Sequence, residues 1–245
     1  MNEYGSHGRV GLLVPPENPT VEPEMVRLLP STVVPHTQRL PVLDGELRER
    51  ILGYNDAIER SIAGFGSLSM DCVYYAMTGG SYLMGREREL TLIEDLAAVG
   101  TTLVPAGHAI LESLERQGIQ RVALISPYPA WLTDAAVAYW ESAGLEVVAV
   151  GKVPTGPGGI YALSSREVID VVRAMLPKSP AALLLSGTGM PTLSAAGTIA
   201  KETGIPVLSS AIASGAAILR RLAERHGPEV LRSVTDPALK AILPV

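Results

Sequence analysis

Short apolar segments rich in β-branched residues alternate along this chain with longer segments whose apolar residues recur at helical spacing. Strands that alternate with amphipathic helices build parallel sheets, because each crossover helix returns the chain to the edge where the next strand begins. The sequence therefore predicts an α/β fold. The predicted strands are residues 9–14, 32–35, 72–77, 101–104, 121–126, 146–150, 181–185 and 206–208.

The predicted helices lie between and after these strands. The segment 47–64 has apolar residues at helical spacing and is interpreted as one helix that packs on a sheet. The tail, residues 226–245, contains prolines and is predicted to be less regular. The predicted helices are residues 21–28, 47–64, 86–98, 109–117, 131–143, 165–175, 195–203 and 212–225.

The second half of the chain repeats features of the first. RVGLLVPPEN begins at Arg9, and RVALISPYPA begins 112 residues later at Arg121. MTGG at residues 77–80 and GTGM at residues 187–190 correspond at an offset of 110. Two nearly equal offsets in the same order indicate an internal two-fold repeat. We therefore expect two similar α/β lobes.

Four loops are expected to converge between these lobes, since ligands of open α/β sheets bind beyond the carboxyl ends of the strands. They are residues 15–20, 78–81, 126–131 and 186–192. Their glycines leave backbone N–H groups exposed, which favours a carboxylate or a developing enolate as ligand. Neither GxxxxGK[ST] nor a GxGxxG after the first strand is present, which disfavours a phosphate. Their neutral hydrogen-bonding side chains are Asn18, Thr20, Thr78, Ser81, Tyr128, Ser186 and Thr188.

Composition excludes several classes of function. The net charge of −5 and the lack of a basic cluster argue against a nucleic-acid partner. No apolar run reaches the roughly 18 residues of a membrane span, and the polar N-terminus lacks the apolar core of a signal peptide. We therefore expect a cytoplasmic protein with no membrane partner. The one cysteine, Cys72, excludes a disulfide framework or a cysteine-rich metal site, and is interpreted as a core residue.

Four segments carry a family resemblance. They resemble the maleate isomerase and arylmalonate decarboxylase branch of the aspartate/glutamate racemase superfamily. The segments are VGLLVPPENPTVEPEM, YYAMTGGS, RVALISPYPAWL and ALLLSGTGMPTL, the last of which is followed by GIPVLSSAIA. The resemblance implies two pseudo-symmetric, Rossmann-like (flavodoxin-like) lobes with parallel sheets and a cleft between them. It also implies a small carboxylate substrate, no metal and no organic cofactor. With the apolar composition it suggests a homo-oligomer. We expect residues 1–112 plus 211–245 to form one lobe and residues 113–210 the other.

The same resemblance implies roles for the loop residues. Thr78, Tyr128 and Thr188, together with the glycines beside them, would form a cradle for an enolate oxygen. Pro15 and Pro16 would line the pocket wall, and Asn18 would bind a carboxylate. The residues predicted to bind substrate are Pro15, Pro16, Asn18, Met77, Gly79, Gly80, Ser81, Gly187 and Gly189.

One departure from the family pattern bears on the reaction. Racemases and maleate isomerases of the family place a cysteine at the end of each matched strand, and decarboxylases keep only the second. Those positions are Met77 and Gly187 here. A thioether cannot form the thiolate that a covalent adduct needs, and two-base racemisation needs an acid or base on each face of the carbon. Decarboxylation is affected least, because an apolar pocket and an oxyanion cradle could carry it.

A replacement acid or base is sought among the histidines. His108 is predicted at the start of a helix after the strand 101–104, on the cleft side, where the helix N-terminus would lower its pKa. His36 is a second candidate, after the strand 32–35.

The sequence thus predicts a cofactor-independent lyase of decarboxylase type that forms an enolate or enediolate from a small di- or oxo-carboxylic acid. Three alternatives stay open. They are an isomerase with a non-cysteine acid/base pair, a hydrolase whose water is activated by Glu17 or His108, and a non-catalytic carboxylate binder.

Overall fold

The computed structural model describes residues 3–175 and 180–243 and contains two four-stranded parallel sheets. The first has the strand order β2-β1-β3-β4 and the second the order β6-β5-β7-β8, so each lobe repeats the other's topology. The predicted fold, two similar α/β lobes, is confirmed. The strands are β1 (Arg9–Val14), β2 (Val34–Arg39), β3 (Cys72–Tyr75), β4 (Leu103–Pro105), β5 (Arg121–Ser126), β6 (Glu146–Lys152), β7 (Ala182–Leu185) and β8 (Val207–Ser209).

Helices cover both sheets, which explains why the inner strands are apolar throughout. In β5 every residue after Arg121 is buried, and so is every residue of β3 and β7. The helices are α1 (Val21–Leu28), α2 (Leu47–Asp56), α3 (Ile58–Ala63), α4 (Thr78–Met84), α5 (Arg86–Ala98), α6 (Ala106–Arg116), α7 (Ala130–Ser142), α8 (Ser165–Met175), α9 (Leu193–Thr203), α10 (Ser210–His226), α11 (Glu229–Arg232) and α12 (Pro237–Lys240), with a 3₁₀ turn at Gly159–Ala162.

Several predicted boundaries were wrong. The single helix 47–64 is divided at Ala57, whose N–H bonds to the carbonyl of Tyr54 three residues earlier, so the α-helical hydrogen-bond register is interrupted there. The second strand runs over Val34–Arg39 and not 32–35; Pro35 is tolerated inside it because β2 is an edge strand.

Other errors concern the ends of helices and strands and the structure of the tail. Residues 78–81, predicted as a loop, are the first turn of α4. The tail contains the short helices α11 and α12. The strands predicted at 72–77 and 101–104 are Cys72–Tyr75 and Leu103–Pro105.

The two lobes are joined through α6 and α10. Both helices follow the last strand of their own sheet, yet α10 also packs on α1, β3 and β4 of the first lobe. Glu112 of α6 forms ion pairs with Arg220 and Arg221 of α10 at 2.9 and 3.0 Å. We propose on this packing that residues 1–112 plus 211–245 form one lobe and 113–210 the other. Within the part of the chain described, no helix is both long and apolar enough to span a membrane.

Candidate active site

A cavity of about 370 Å³ lies between the lobes, beyond the carboxyl ends of β1, β3, β5 and β7. The structure brings the loops after β1, β5 and β7 to its wall, together with Met77 after β3. Two further segments close it, namely one face of α2 and the segment 155–161 that follows β6. The lining residues are Pro15, Pro16, Glu17, Asn18, Leu47, Arg50, Ile51, Tyr54, Met77, Pro127, Tyr128, Pro129, Thr155, Pro157, Gly158, Gly159, Ile160, Tyr161, Thr188 and Gly189.

The orientation of the Asn18 amide follows from its contacts. Its side-chain oxygen accepts the backbone N–H groups of Thr20 (2.8 Å) and Val21 (3.2 Å) at the start of α1. Because a backbone N–H can only donate, the oxygen must face the helix and the NH₂ group must point the other way. Asn18 is buried and lines the cavity. Its NH₂ group is therefore available to donate to a ligand carboxylate.

Tyr128 lines the cavity and contacts Thr78 of the other lobe, which is fully buried behind it and does not line the cavity. The Tyr128 hydroxyl and Thr78 Oγ1 are 2.7 Å apart. Burial raises the pKa of Tyr128 to about 12, although the hydrogen bond to Thr78 opposes that shift. The phenol is therefore neutral at pH 7 and keeps a proton to donate.

The loop around Tyr128 is anchored to its own lobe. The Tyr128 N–H donates to Ser126 Oγ at 3.3 Å, and its carbonyl accepts Thr133 Oγ1 at 3.2 Å. The Lys152 ammonium also donates to that carbonyl. These bonds fix the backbone that carries the phenol, so the hydroxyl is held in place before a ligand arrives.

The loop after β7 is bonded to the first lobe. Thr188 Oγ1 donates to the carbonyl of Ala76 at 2.8 Å, and Thr20 Oγ1 donates to the carbonyl of Gly189 at 2.9 Å. Thr188 is buried, and its hydroxyl proton is already used by Ala76. Its side chain therefore holds the lobes together, while its oxygen and the backbone of Gly189 face the cavity wall.

The positions that the resemblance assigns to the family cysteines carry no thiol. Met77 lines the cavity in an extended backbone conformation (φ −148°). Gly187 has φ +123°, and a Cβ there would lie 3.0 Å from Cγ of Pro127. Cys72 is fully buried within β3, where burial raises the pKa of its thiol to about 12. The prediction that Cys72 is a core residue is confirmed.

Six predicted site residues do not line the cavity, namely Thr78, Gly79, Gly80, Ser81, His108 and Gly187. His108 contacts Arg86, with Nδ1 and Nη1 3.0 Å apart, and burial, followed by the Arg86 charge, lowers its pKa. The direction of that shift was expected, but its main causes are burial and Arg86. His108 follows β4, whereas the cavity lies beyond β1, β3, β5 and β7 and the segment after β6. Ser81 Oγ accepts a hydrogen bond from the backbone N–H of Gly107 at 3.1 Å. A Cβ added to Gly80 would lie 2.6 Å from the Tyr75 hydroxyl.

His36 also differs from its prediction. It lies within β2, not after a strand, and its Nε2 is buried with no hydrogen-bond partner among the described residues. The residues described form no group of three or more His, Cys, Asp or Glu side chains that could hold a metal ion. Glu17 lines the cavity but is exposed at its rim.

The sequence reasoning missed the polar residues at the α2 side of the cavity. Arg50 and Tyr54 project from α2, and Tyr161 lies in the 3₁₀ turn after β6. Burial raises the pKa of both tyrosines, and the nearby Arg50 charge opposes the shift in each case. The segment TGPGGIY, which ends at Tyr161, follows the carboxyl end of β6. The same strand-end argument could therefore have found it.

Comparisons with known proteins identify the family of this chain. The sequence profile of a family described as arylmalonate decarboxylase matches residues 10–230. The maleate isomerase of Nocardia farcinica is 32% identical over 234 residues, covering 87% of this chain and 90% of that protein.

Two solved structures are also similar. A cysteine-to-serine variant of the Nocardia farcinica maleate cis-trans isomerase, with a covalently bound succinylcysteine intermediate, has a TM-score of 0.76 at 27% identity. The maleate isomerase Iso from Pseudomonas putida S16 has a TM-score of 0.81 at 23% identity, which bears on the fold alone. Each comparison covers 88% of this chain and 92% of the other.

Proposed function

Because this chain belongs to the arylmalonate decarboxylase family, we propose that it is a cofactor-independent lyase that removes CO₂ from a small acid with two carboxyl groups on one carbon. Membership confirms the family resemblance predicted from the sequence. It also identifies the chain as an enzyme of the lyase or isomerase type, with curated maleate isomerases among its relatives. The choice of decarboxylation within that type is our proposal.

The observation that carries the proposal is a cradle of neutral donors, the Tyr128 hydroxyl and the Asn18 NH₂ group, in a cavity without a thiol. Tyr128 and Thr78 meet at 2.7 Å between the lobes, while Met77 and Gly187 occupy the cysteine positions. Cys72, the one cysteine in the sequence, is buried in β3. A reaction that needs a positioned oxyanion and no covalent sulfur adduct fits these residues best.

The proposed step conserves atoms and charge. The bond between the reacting carbon and one carboxylate breaks, CO₂ leaves, and the electron pair moves into the remaining carboxyl group to give an enediolate. The Tyr128 hydroxyl and the Asn18 NH₂ group would hold its oxygens, and Thr78 would position the Tyr128 hydroxyl from behind. The leaving carboxylate would face the apolar side chains of Leu47, Ile51, Met77 and Ile160, where loss of solvation favours the neutral product. Water would then protonate the carbon.

A substrate panel tests this reaction directly. Wild-type protein is incubated in D₂O with 2-substituted malonates, with maleate and with a cyclic imide, and the products are followed by NMR. We expect loss of CO₂ and one deuterium on the reacting carbon for a malonate. Fumarate from maleate would instead support the isomerase suggested by the maleate isomerase relatives. Ring opening would support a hydrolase, and binding of the whole panel without turnover would support a binder.

Tyr128→Phe tests the role of the cradle. Removing one donor to a developing oxyanion typically lowers kcat by about 10²–10³. The matched control is Tyr74→Phe, since Tyr74 is a buried tyrosine of β3 that does not line the cavity. Wild-type turnover in a folded Tyr128→Phe protein would contradict the proposed cradle.

A further inference from the structure

The cavity contains an arginine for which the protein supplies no anion. Arg50 projects from α2 into the cavity wall and is half-buried. Its Nε is buried and has no hydrogen-bond partner in residues 3–175 and 180–243. Within the same residues, no carboxylate oxygen lies within 4.0 Å of its guanidinium. Glu17, the acidic residue that lines the cavity, lies exposed at the rim.

Such an arrangement is costly unless a ligand completes it. A buried donor without a partner loses its hydrogen bonds to water, and a partly desolvated cation without a counter-charge adds to that cost. Guanidinium is a planar fork that matches a carboxylate through two parallel hydrogen bonds. Tyr54 and Tyr161 line the same cavity, and burial raises the pKa of each, so their hydroxyls stay neutral donors.

Arg50 is poorly suited to hold the carboxylate that leaves. A cation on that group would stabilise the charged ground state more than the transition state, in which the charge moves away, and would slow the loss of CO₂. The retained carboxyl group is assigned to the cradle of Tyr128 and Asn18. The anion for Arg50 must therefore be a third group, carried by the substituent on the reacting carbon.

We propose that Arg50, with the hydroxyls of Tyr54 and Tyr161, forms a subsite for a carboxylate at the end of the substrate's side chain. The substrate class is then a malonate-type acid whose substituent is itself anionic, in place of an aryl or alkyl group. This inference rests on the proposed function for the reaction, but the binding subsite can be tested without turnover.

Two matched pairs of compounds provide that test. (2-Carboxyethyl)malonate and isopentylmalonate differ only in a terminal carboxylate against an isopropyl group of similar shape. Their decarboxylation products, glutarate and 5-methylhexanoate, differ in the same way and need no catalysis to bind. We would measure kcat/KM for the first pair and Kd by calorimetry for the second, in wild type and in Arg50→Met, Arg50→Lys and Arg48→Met.

Arg48→Met is the matched control. Arg48 is on the same helix but lies over the ring of Trp131, 4.4 Å from its centroid, and does not line the cavity. Methionine at position 50 keeps an unbranched apolar stem, so packing is retained while the charge is lost.

We expect wild type to prefer the anionic member of each pair. Arg50→Met should lower that preference by roughly tenfold to hundredfold, the size of a charge-assisted hydrogen-bonded pair. Arg50→Lys should recover part of it, because the charge returns without the planar fork. Arg48→Met should leave it unchanged.

The outcomes separate the two proposals. A preference for glutarate that depends on Arg50, without turnover of either malonate, would uphold the subsite and overturn the decarboxylase assignment. Turnover of both malonates with no change of preference in Arg50→Met would overturn the subsite and leave the reaction standing. Equal binding of both products by wild type would also overturn the subsite.

Discussion

Gly187 occupies a backbone conformation that should not accept a side chain. Its φ is +123°, and a Cβ would lie 3.0 Å from Cγ and 3.3 Å from Cδ of Pro127 and 3.5 Å from Ile160. Holding a non-glycine residue in such a region costs about 1–3 kcal/mol. A contact with a rigid proline ring adds on the order of 1 kcal/mol. We therefore expect Gly187→Ala to lower the free energy of unfolding by about 2–4 kcal/mol.

Thermal and urea unfolding measure this effect. For a chain of this length, 1 kcal/mol shifts Tm by roughly 2–4 °C, so a decrease of about 5–15 °C is expected. Gly197→Ala is the matched control, because Gly197 lies within α9 with nothing within 4 Å of the added Cβ. That change should stabilise the helix by about 0.5–1 kcal/mol.

The result has a consequence for the missing cysteine. If Gly187→Ala unfolds at the wild-type temperature, the backbone there does not have a positive φ, and the reasoning is refuted. If it is destabilised as expected, the loop after β7 is built around glycine. Gly187→Cys would then carry the same strain and could not simply restore the family's second thiol.

Two further predictions concern buried or cavity-facing groups. Met77→Cys should fold with a free energy of unfolding within about 1.5 kcal/mol of wild type, since φ at Met77 is −148°. The new thiol should react with a thiol reagent in the native state. Cys72 of wild type, whose pKa is raised to about 12, should react only on unfolding. Equal labelling of the native wild-type and Met77→Cys proteins would contradict this prediction. Burial raises the pKa of Glu89 above 4.5, so the folded state binds its proton more readily and stability falls as pH rises above 4.5. Glu89→Gln should therefore gain stability relative to wild type between pH 4.5 and 7 in urea unfolding, and a pH-independent difference would refute that sign.

The fold could be predicted because its signals are local and repeated. Buried strands such as β5 are continuous apolar segments in the sequence. The similar segments that begin at Arg9 and Arg121 indicate two copies of one topology. Helices with clear periodicity and ends, such as α1, α5 and α8, have the predicted bounds. Errors arose where tertiary packing decides the end of an element. At Ala57, for example, one predicted helix divides into two.

The site could be predicted only in part, because chain position does not give strand order. Asn18, Tyr128 and Thr188 follow inner strands and reach the cavity. His108 follows the edge strand β4 and does not. Arg50 was missed because the helical spacing around it indicates only a packing face, and its direction depends on how α2 crosses the sheet.

Besides the roles of the site residues and the type of reaction, three predictions stay predictions. They are the division into residues 1–112 plus 211–245 and 113–210, the cytoplasmic location and the homo-oligomeric state. Sedimentation of the purified protein at several concentrations would measure the last of these.

The central claim is that catalysis proceeds without a thiol in the Tyr128 cradle. The most direct measurement is NMR in D₂O of wild-type and Cys72→Ala proteins with 2-substituted malonates, including one with a carboxylate side chain. We predict loss of CO₂ and one deuterium on the reacting carbon, at equal kcat for both proteins wherever both are folded. Loss of turnover in folded Cys72→Ala would show that the buried thiol takes part and would contradict the claim.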